Sequence, residues 1–391
     1  MVKPFQFTRI PRIIFRNGEI SRLPDHIRAF GKSVILVTGR SSFVQSAAWE
    51  KLLAELGERK TGWYHATVAG EPSPEDIDDV VRESAGKGFD VVAGIGGGSV
   101  LDAGKAISAM TGIGNSVERF LESVGDLEHP GSKIPFIAVP TTSGTGSEAT
   151  KNAVISRTGR GGFKKSLRHD NFVPDLAVID PELTLSCPAD ITAASGMDCF
   201  TQLTEAYLSD KASDYTDALA LEGLKAIRDY LVRCVRNGED IEARAGMSFA
   251  ALTSGICLAN AGLGVVHGFA SSVGGFLKIP HGVVCASLMA KANEITVREL
   301  RKNKGDGTAL AKYACLGQLF AHASGLNEAG YADAFLNFTR ELSQELSLPG
   351  FSKFDMEEKD IIPICRVTEN KNNPVRLNES CMAEILASRL F

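Results

Sequence analysis

The fold is decided by one stretch of the sequence, Gly94-Ile95-Gly96-Gly97-Gly98-Ser99-Val100-Leu101-Asp102. It overlaps the end of Phe89–Ile95, an apolar run typical of a buried β-strand, and it precedes the helix-like segment Ala103–Met110. Consecutive glycines let backbone N–H groups approach a diphosphate without an intervening Cβ atom. Ser99 and Asp102 have the spacing of a helix N-cap and its capping-box partner, and a helix N-terminus attracts anions. The stretch therefore predicts a nucleotide-phosphate site, although it departs from the usual G-x-G-x-x-G pattern.

The residues around this stretch alternate between strand and helix patterns. Strand-like runs occur at residues 34–38, 89–95, 135–139 and 176–179. Ser73-Pro74-Glu75-Asp76 has the pattern of a helix N-terminus, with an N-cap, a proline at the first helical position and two acids. Strands separated by helices predict a parallel sheet that is covered on both faces.

The chain changes character after Asp180-Pro181. Helical periodicity takes over, with long segments at residues 215–235, 241–260, 285–301 and 331–346. We therefore expect an α/β N-terminal domain with a Rossmann-like parallel sheet, residues 1–184. An all-α C-terminal domain, residues 185–391, is expected to follow it.

Composition narrows the class of protein. The chain has 391 residues, 44% of them hydrophobic and 23% charged, as is typical of a globular protein of two domains. A net charge of −5 gives no reason to expect nucleic acid or an anionic membrane as a partner. No apolar run approaches the roughly 20 residues of a membrane span, and the N-terminus lacks the build of a signal peptide. The eight cysteines include no C-x-x-C pair, which favours reduced thiols packed as small apolar groups in a cytoplasmic protein.

Two further loops bear on the cofactor. Pro140–Glu148 supplies hydroxyl groups after the strand at 135–139, and open α/β sheets bind ligands at such carboxyl ends. Gly39-Arg40-Ser41-Ser42 follows the strand at 34–38 without the acid that usually holds the ribose 2′-hydroxyl of NAD. Small residues, hydroxyls and an arginine favour the 2′-phosphate of NADP. We therefore expect NADP ahead of NAD, with Gly39, Ser41 and Ser42 in contact with it.

The helical half contains a candidate metal set. Asp198 and Gln202 share a helix face at i and i+4, and His267 and His281 come later in the chain. A carboxylate and two imidazoles suit a divalent metal such as zinc or iron, and three protein ligands leave a position for a substrate oxygen. On spacing alone, the two histidines are equally compatible with a role in the core.

Together these motifs resemble the iron-containing (group III) alcohol dehydrogenases, in order over nearly the whole chain. The motifs that carry the resemblance are Gly96-Gly97-Gly98-Ser99-x-x-Asp102, Pro140-Thr141-Thr142-x-Gly144-Thr145, Gly196-x-Asp198, the pair His267 and His281, and Asn373-Pro374-x-Arg376. The resemblance implies the dehydroquinate-synthase-like superfold, in which a dinucleotide-binding domain and a helical domain enclose a cleft.

The resemblance also implies roles for individual residues. Asp198, His267 and His281 would ligate the metal, and Asp102 would lie near the nicotinamide, which makes these four the expected catalytic residues. Those implied to hold the cofactor are Gly97, Gly98, Ser99, Thr141, Thr142, Thr145, Asn152 and Lys164. The expected reaction is hydride transfer between NAD(P) and a small alcohol or aldehyde, with the metal polarising the substrate oxygen. These expectations are also compatible with a homodimer.

The sequence departs from the family pattern at two positions. Gln202 stands where the family normally has a histidine ligand, and a carboxamide oxygen is a weaker, harder ligand than imidazole. Ser271 stands where many members have a histidine that does not bind the metal. Both polar residues favour a polyol, sugar or hydroxy-acid substrate. Two alternatives stay open: a dehydroquinate-synthase-like cyclase that uses NAD and metal, and a metal-free, non-catalytic homologue.

Overall fold

The computed structural model of the protein describes residues 4–159, 162–303, 307–321 and 324–390. Its strands are β1 (Arg12–Phe15), β2 (Ser33–Gly39), β3 (Gly62–Val68), β4 (Val91–Gly96), β5 (Phe136–Pro140), β6 (Asn152–Arg157), β7 (Phe163–Arg168) and β8 (Leu176–Ile179). The helices of the first half are α1 (Leu23–Phe30), α2 (Ala47–Glu58), α3 (Pro74–Ser84) and α4 (Gly98–Met110). Those of the second half are α5 (Ala189–Leu208), α6 (Asp214–Arg236), α7 (Ile241–Ala261), α8 (Val265–Phe276), α9 (His281–Lys302), α10 (Thr308–Phe320), α11 (Glu328–Glu345), α12 (Glu358–Val367) and α13 (Glu379–Ala387).

Six strands form a parallel sheet in the order β1-β8-β5-β4-β2-β3, and β6 and β7 form a separate antiparallel hairpin. The chain runs outward from β2 to β3 and then returns to place β4 on the other side of β2. The crevice at the carboxyl ends of β2 and β4 is therefore the topological switch point, where sheets of this kind bind ligands. The fold confirms the predicted class of a parallel α/β half followed by a helical half.

The central strands are apolar because both faces of the sheet are covered. In β2, Ile35 and Val37 pack into a cluster with α3 and α4, while Val34 and Leu36 pack into a cluster on the opposite face with α1 and α2. Strands buried on both faces read as continuous hydrophobic runs, which is why the sequence predicted β2, β4, β5 and β8. The sequence analysis did not predict the less buried edge strands β1 and β3 or the hairpin β6–β7.

The predicted N-terminus of α3 is confirmed, whereas the one predicted for α4 is wrong. Ser73 and Asp76 form a reciprocal capping box at the start of α3. In contrast, α4 begins at Gly98 with Gly97 as N-cap and without a side-chain cap. Ser99 therefore lies inside the first turn, and the Asp102 carboxylate accepts hydrogen bonds from the Ser147 hydroxyl and the Val154 N–H instead.

The helical half follows β8 and contains two hydrophobic clusters, one built mainly on α5, α6, α7, α10 and α11 and the other on α8, α9, α12 and α13. The four long helices predicted from periodicity are present as α6, α7, α9 and α11, and α9 begins at residue 281 rather than 285. The boundary between residues 184 and 185 stays a prediction. Within the described residues, no single helix is long and apolar enough to cross a membrane; α7 and α8, bent by 97°, meet the length and composition test only as a pair.

The two halves meet where the loop after β5 contacts α7. We expect Gly255→Ala to destabilise the protein by about 1–3 kcal/mol, because the added Cβ would lie 2.1 Å from the Gly146 carbonyl oxygen. The control is Gly57→Ala on α2, where nothing lies within 4 Å of the added Cβ, and it should gain about 0.5–1 kcal/mol. Urea unfolding of both variants measures the difference. An unchanged unfolding midpoint for Gly255→Ala would show that this contact is not tight.

Candidate active site

One face of α5 buries three polar side chains in succession. Asp198, Gln202 and Glu205 are 1%, 2% and 8% exposed, at positions i, i+4 and i+7 of the helix. The other faces of α5 carry Phe200 and Leu203 into the hydrophobic core. Because buried polar groups are costly unless they have partners, this face requires polar or cationic partners from the elements packed against it.

Asp198 lies in a cluster of metal-ligand atoms. Its Oδ1 is 3.3 Å from His267 Nε2 and 3.7 Å from His281 Nε2. Cys285 Sγ is 3.7 Å from the first of these nitrogens and 3.8 Å from the second. The four ligand atoms all lie within 4.8 Å of one another. The structure therefore brings together the three predicted ligands, with a cysteine that the prediction did not include.

The cluster fits a divalent cation. Asp198 Oδ1 is buried and makes no hydrogen bond to any described residue. The partners of this buried anionic oxygen are the imidazole nitrogens of His267 and His281, at 3.3 and 3.7 Å, and a divalent cation among the four side chains would stabilise it further. Carboxylate, imidazole and thiol are also the donor types that zinc prefers.

Two local features place the histidines. His267 lies in the first turn of α8, and His281 is the first residue of α9, directly after the N-cap Pro280. Proline before a helix is favoured because its φ is fixed and its missing N–H would be unpaired there anyway. The beginnings of two consecutive helices therefore face the same point on α5.

Glu205 orients His267. Its Oε1 accepts a hydrogen bond from the Val266 N–H at 2.7 Å, and its Oε2 is 2.6 Å from His267 Nδ1. A proton on Nδ1 that is donated to this carboxylate leaves Nε2 facing Asp198, where it can bind a cation once its own proton has left. A carboxylate behind a histidine is the usual outer-shell arrangement of metal sites, where it fixes the tautomer and raises the basicity of the ligand.

Burial and neighbouring charges set the protonation of the cluster. Burial lowers the pKa of His281 to about 4, so this imidazole is neutral at pH 7. Burial alone would raise the pKa of Asp198, but the nearby His281 and His267 hold it at about 2. Burial also opposes the charged form of His267, yet its interactions with Cys285 and with the Glu205 carboxylate raise its pKa well above the usual value. Asp198 and His281 are thus in the forms that bind metal.

Gln202 links this cluster to the loop that follows β5. Its amide nitrogen donates to the Thr145 carbonyl oxygen at 3.0 Å and to the Ser254 hydroxyl at 2.9 Å. That nitrogen therefore holds the loop, and ligation of a metal by Gln202 stays a prediction. Ser271 is also engaged within the protein, since its hydroxyl donates to the His267 carbonyl at 3.0 Å.

The predicted phosphate loop and the Ser/Thr loop touch each other at the switch point. A Cβ atom at Gly98 would lie 2.7 Å from the Thr145 side chain, and one at Gly97 would lie 3.3 Å from Thr142 Oγ1. The Thr141 N–H donates to the Gly96 carbonyl at 3.0 Å. The missing Cβ atoms thus keep the two loops close together, and the backbone there is open to a phosphate group.

The end of β2 lies beside this cradle, because β2 is the neighbour of β4 in the sheet. A Cβ atom at Gly39 would contact Val100, in the first turn of α4, at 3.9 Å. Arg40, Ser41 and Ser42 follow it and are exposed. All three segments predicted to hold the cofactor therefore meet at one edge of the sheet, while the role of each residue there stays a prediction.

Asn152 and Lys164, predicted on the cofactor side, lie on the hairpin β6–β7. The Asn152 carbonyl accepts a hydrogen bond from buried Lys105 at 2.6 Å. Lys164 Nζ pairs with Glu71. Burial is the largest influence on two nearby pKa values: it raises the pKa of Asp102 and lowers the pKa of His281. The positive charge of Lys164 lowers both of these pKa values. Lys164 therefore lies within electrostatic reach of both the cofactor loop and the metal cluster.

Sequence reasoning missed two members of the site. Cys285 lies four residues after His281 on α9, and Glu205 lies seven residues after Asp198 on α5. Both spacings place a residue on the same helix face as a predicted ligand, so a search for ligating residues at i+4 and i+7 would have found them. All eight cysteines are free thiols, and Cys285, which belongs to the hydrophobic cluster of α8, α9, α12 and α13, also has its sulfur beside the two imidazoles.

Comparison with known proteins agrees with this geometry. A family model described as iron-containing alcohol dehydrogenase matches residues 11–181, and one for the C-terminal part of the Fe-containing alcohol dehydrogenase family matches residues 192–390. The NAD-dependent methanol dehydrogenase of Bacillus methanolicus is 30% identical over 367 residues, covering 90% of this chain and 90% of that protein. The 1,3-propanediol dehydrogenase of Citrobacter freundii is 31% identical over 369 residues, covering 91% of this chain and 90% of that protein.

Solved structures give the same result. The alcohol dehydrogenase from Oenococcus oeni superposes with a TM-score of 0.86 at 26% sequence identity, covering 99% of this chain and 100% of that chain. The chain belongs to the iron-containing alcohol dehydrogenase family, and it is an oxidoreductase that transfers hydride between a nicotinamide cofactor and an alcohol or aldehyde.

Proposed function

We propose that the protein is an NADP(H)-preferring alcohol dehydrogenase whose resident metal is a divalent cation, zinc rather than iron, held by Asp198, His267 and His281. One observation carries the proposal: the helix face that supplies Asp198, whose buried Oδ1 accepts no hydrogen bond from a described residue, also holds the nucleotide-side loop through Gln202. When bound, the cation supplies Lewis acidity toward a substrate oxygen, and the nicotinamide gives or accepts the hydride.

Residues of the chain hold the elements that bind the cation and the nicotinamide cofactor in fixed relative positions. Glu205 keeps the Nε2 of His267 directed into the cluster, and the packing of Gly98 against Thr145 keeps the two phosphate-side loops together. Gln202 fixes the distance between loop and cluster through rigid helix α5. Positioning two reactants in this way lowers the entropic cost of their reaction. Asp102 supports the same region by holding Ser147 and the start of β6.

The proposed substrate is a small alcohol or diol and its aldehyde. Relatives named for methanol and 1,3-propanediol support this class. The expected preference for polyols, sugars or hydroxy-acids rested on Gln202 and Ser271. Both side chains donate hydrogen bonds to groups of the protein itself. We therefore narrow the proposal to small alcohols. The free thiols are compatible with a reducing compartment, which supports the proposal that the protein works in the cytoplasm.

Metal analysis and a substrate panel test the proposal as a whole. The purified protein should contain about one divalent cation per chain and should oxidise small alcohols in the presence of NADP or NAD. The cyclase alternative predicts instead the release of phosphate from a phosphorylated sugar without net change in the nicotinamide. Full activity after exhaustive chelation would contradict the metal-assisted mechanism.

His267→Ala and His281→Ala should each remove most of the bound metal and the activity, because each deletes one of few strong ligands. The control is His169→Ala, since His169 lies outside the cluster and accepts a hydrogen bond from the Asn171 N–H. Metal content per folded protein and steady-state rates measure the effect. Full metal occupancy in either of the two cluster variants would show that the cation binds elsewhere.

Glu205→Gln should weaken zinc binding by about 10- to 100-fold, because loss of an outer-shell carboxylate typically costs that much. The glutamine keeps the shape but cannot accept the His267 proton with the same strength. The matched control is Glu222→Gln on α6, whose carboxylate pairs with Lys225 at the surface. Competition with a chromophoric chelator gives the affinities, and equal values for the two variants would rule out this role for Glu205.

NADPH should bind more tightly than NADH, and Arg40→Ala should weaken NADPH alone by about tenfold or more, since a hydrogen bond to a charged group contributes about 1.5–3 kcal/mol. Gly39→Asp should reverse the preference, because an acid repels the 2′-phosphate and accepts the ribose hydroxyl. Equilibrium titration of both cofactors measures this. Equal affinities in the unmutated protein would disprove the preference and leave the dehydrogenase proposal standing.

A further inference from the structure

The cluster contains a fourth donor atom that the family pattern does not provide. Cys285 is fully buried on α9, one helical turn after His281, and its Sγ faces the two imidazole Nε2 atoms. The sulfur lies 3.7 Å from His267 Nε2 and 3.8 Å from His281 Nε2. Cys285 belongs to the hydrophobic cluster of α8, α9, α12 and α13, but its sulfur adjoins two ring nitrogens and lies in one group with Asp198.

These separations match those of a tetrahedral zinc site. Zinc binds sulfur at about 2.3 Å and nitrogen or oxygen at about 2.0–2.2 Å, so tetrahedral angles require N···O edges of about 3.4 Å and N···S edges of about 3.6 Å. The corresponding edges here are 3.3 and 3.7 Å for Asp198 and 3.7 and 3.8 Å for Cys285. These four of the six edges lie within a few tenths of an ångström of the tetrahedral values, and all four atoms lie within 4.8 Å of one another.

The Gln202 amide nitrogen is already engaged by other parts of the protein. It donates two hydrogen bonds, to the Thr145 carbonyl and the Ser254 hydroxyl. Thr145 lies on the loop after β5 and Ser254 lies on α7, so a rotation of the side chain that broke both bonds would leave buried polar groups without partners, which is costly. Gln202, at the helix position where the family carries a histidine ligand, therefore holds the loop after β5 through its amide nitrogen.

We propose that Cys285 is the fourth protein ligand of the metal, so that the chain builds an Asp198-His267-His281-Cys285 centre in which the cysteine replaces the histidine of the family pattern and a substrate oxygen would enter as a fifth ligand. The proposal rests on the proposed function, because it presumes that the cluster binds a metal. Ligation requires the thiol proton to leave to solvent as the cation enters, and no electrons are transferred.

A sulfur ligand changes which metal the site selects. Thiolate is a soft donor that favours zinc and cobalt over the harder manganese, and a second anionic ligand beside Asp198 neutralises a dication that is buried from water. We therefore expect this protein to retain zinc in preference to iron(II), although its family is named for iron. The same substitution lowers the net charge of the centre from +1 to zero.

Cobalt(II) spectroscopy of the full-length protein tests the proposal. The metal is removed with a chelator, the protein is reloaded with cobalt(II) alone, and the near-ultraviolet sulfur-to-cobalt charge-transfer band is recorded. The band should be present in the unmutated protein and in Cys257→Ser, a buried cysteine on α7 outside the cluster. It should be lost in Cys285→Ser and Cys285→Ala, and zinc affinity should fall by more than about 100-fold in both. Gln202→Ala should keep the band.

The outcomes separate this inference from the proposed function. Cobalt that binds at full occupancy without the charge-transfer band, or a band that survives in Cys285→Ala, would overturn the role of Cys285 and leave the metal-assisted dehydrogenase intact. If Gln202→Ala lost the metal and Cys285→Ala retained it, the fourth ligand would be Gln202, at the position where the family carries a histidine, and not Cys285. Failure to bind any cation would overturn both. The band of the unmutated protein decides the question even if a Cys285 variant does not fold.

Discussion

The site depends on one constraint, the burial of three polar side chains on a single face of α5. Asp198, Gln202 and Glu205 occupy a stripe that faces away from the hydrophobic core, and Gln202 and Glu205 form hydrogen bonds with different parts of the protein. Glu205 holds the first turn of α8 through His267 and the Val266 N–H, and Gln202 holds the loop after β5. Only Asp198 keeps an oxygen without a hydrogen bond to a described residue. Gln202 and Glu205 therefore position neighbouring segments, and Asp198 is left to bind a cation.

Close backbone approach makes this arrangement compatible with dense packing. A Cβ atom at Gly264 would lie 2.8 Å from Glu205 Oε1, and one at Gly144 would lie 2.8 Å from the Ser195 side chain on α5. Gly146, at φ +63°, faces Gly255 so closely that neither position has room for a side chain. Glycine is the residue that permits such contacts, and the contacts bring the nucleotide-binding edge of the sheet against the metal-binding helices. A hydride donor and a polarising cation can therefore act on one small molecule.

The sequence was informative where a pattern is local and ambiguous where partners come from distant segments. Buried central strands, the Ser73 capping box and the long helices follow from periodicity and turn chemistry, and the resemblance located Asp198, His267 and His281. Edge strands were missed because they are only partly apolar. The Ser99–Asp102 capping box was wrong because Asp102 finds partners on the chain after β5, which local spacing does not reveal. Cys285 packs in the hydrophobic cluster as the sequence predicted, but the sequence analysis did not use its i+4 relation to His281.

The central claim is that one ion lies among Asp198, His267, His281 and Cys285. Anomalous diffraction from a crystal of the zinc-loaded protein, recorded on both sides of the zinc absorption edge, tests it most directly. The account predicts a single strong peak, about 2.0–2.2 Å from Asp198 Oδ1 and from each imidazole Nε2 and about 2.3 Å from the Cys285 sulfur. A peak bonded to Gln202 with the sulfur out of reach would contradict the proposed ligand set, and a zinc-loaded crystal with no peak in the cluster would contradict the account as a whole.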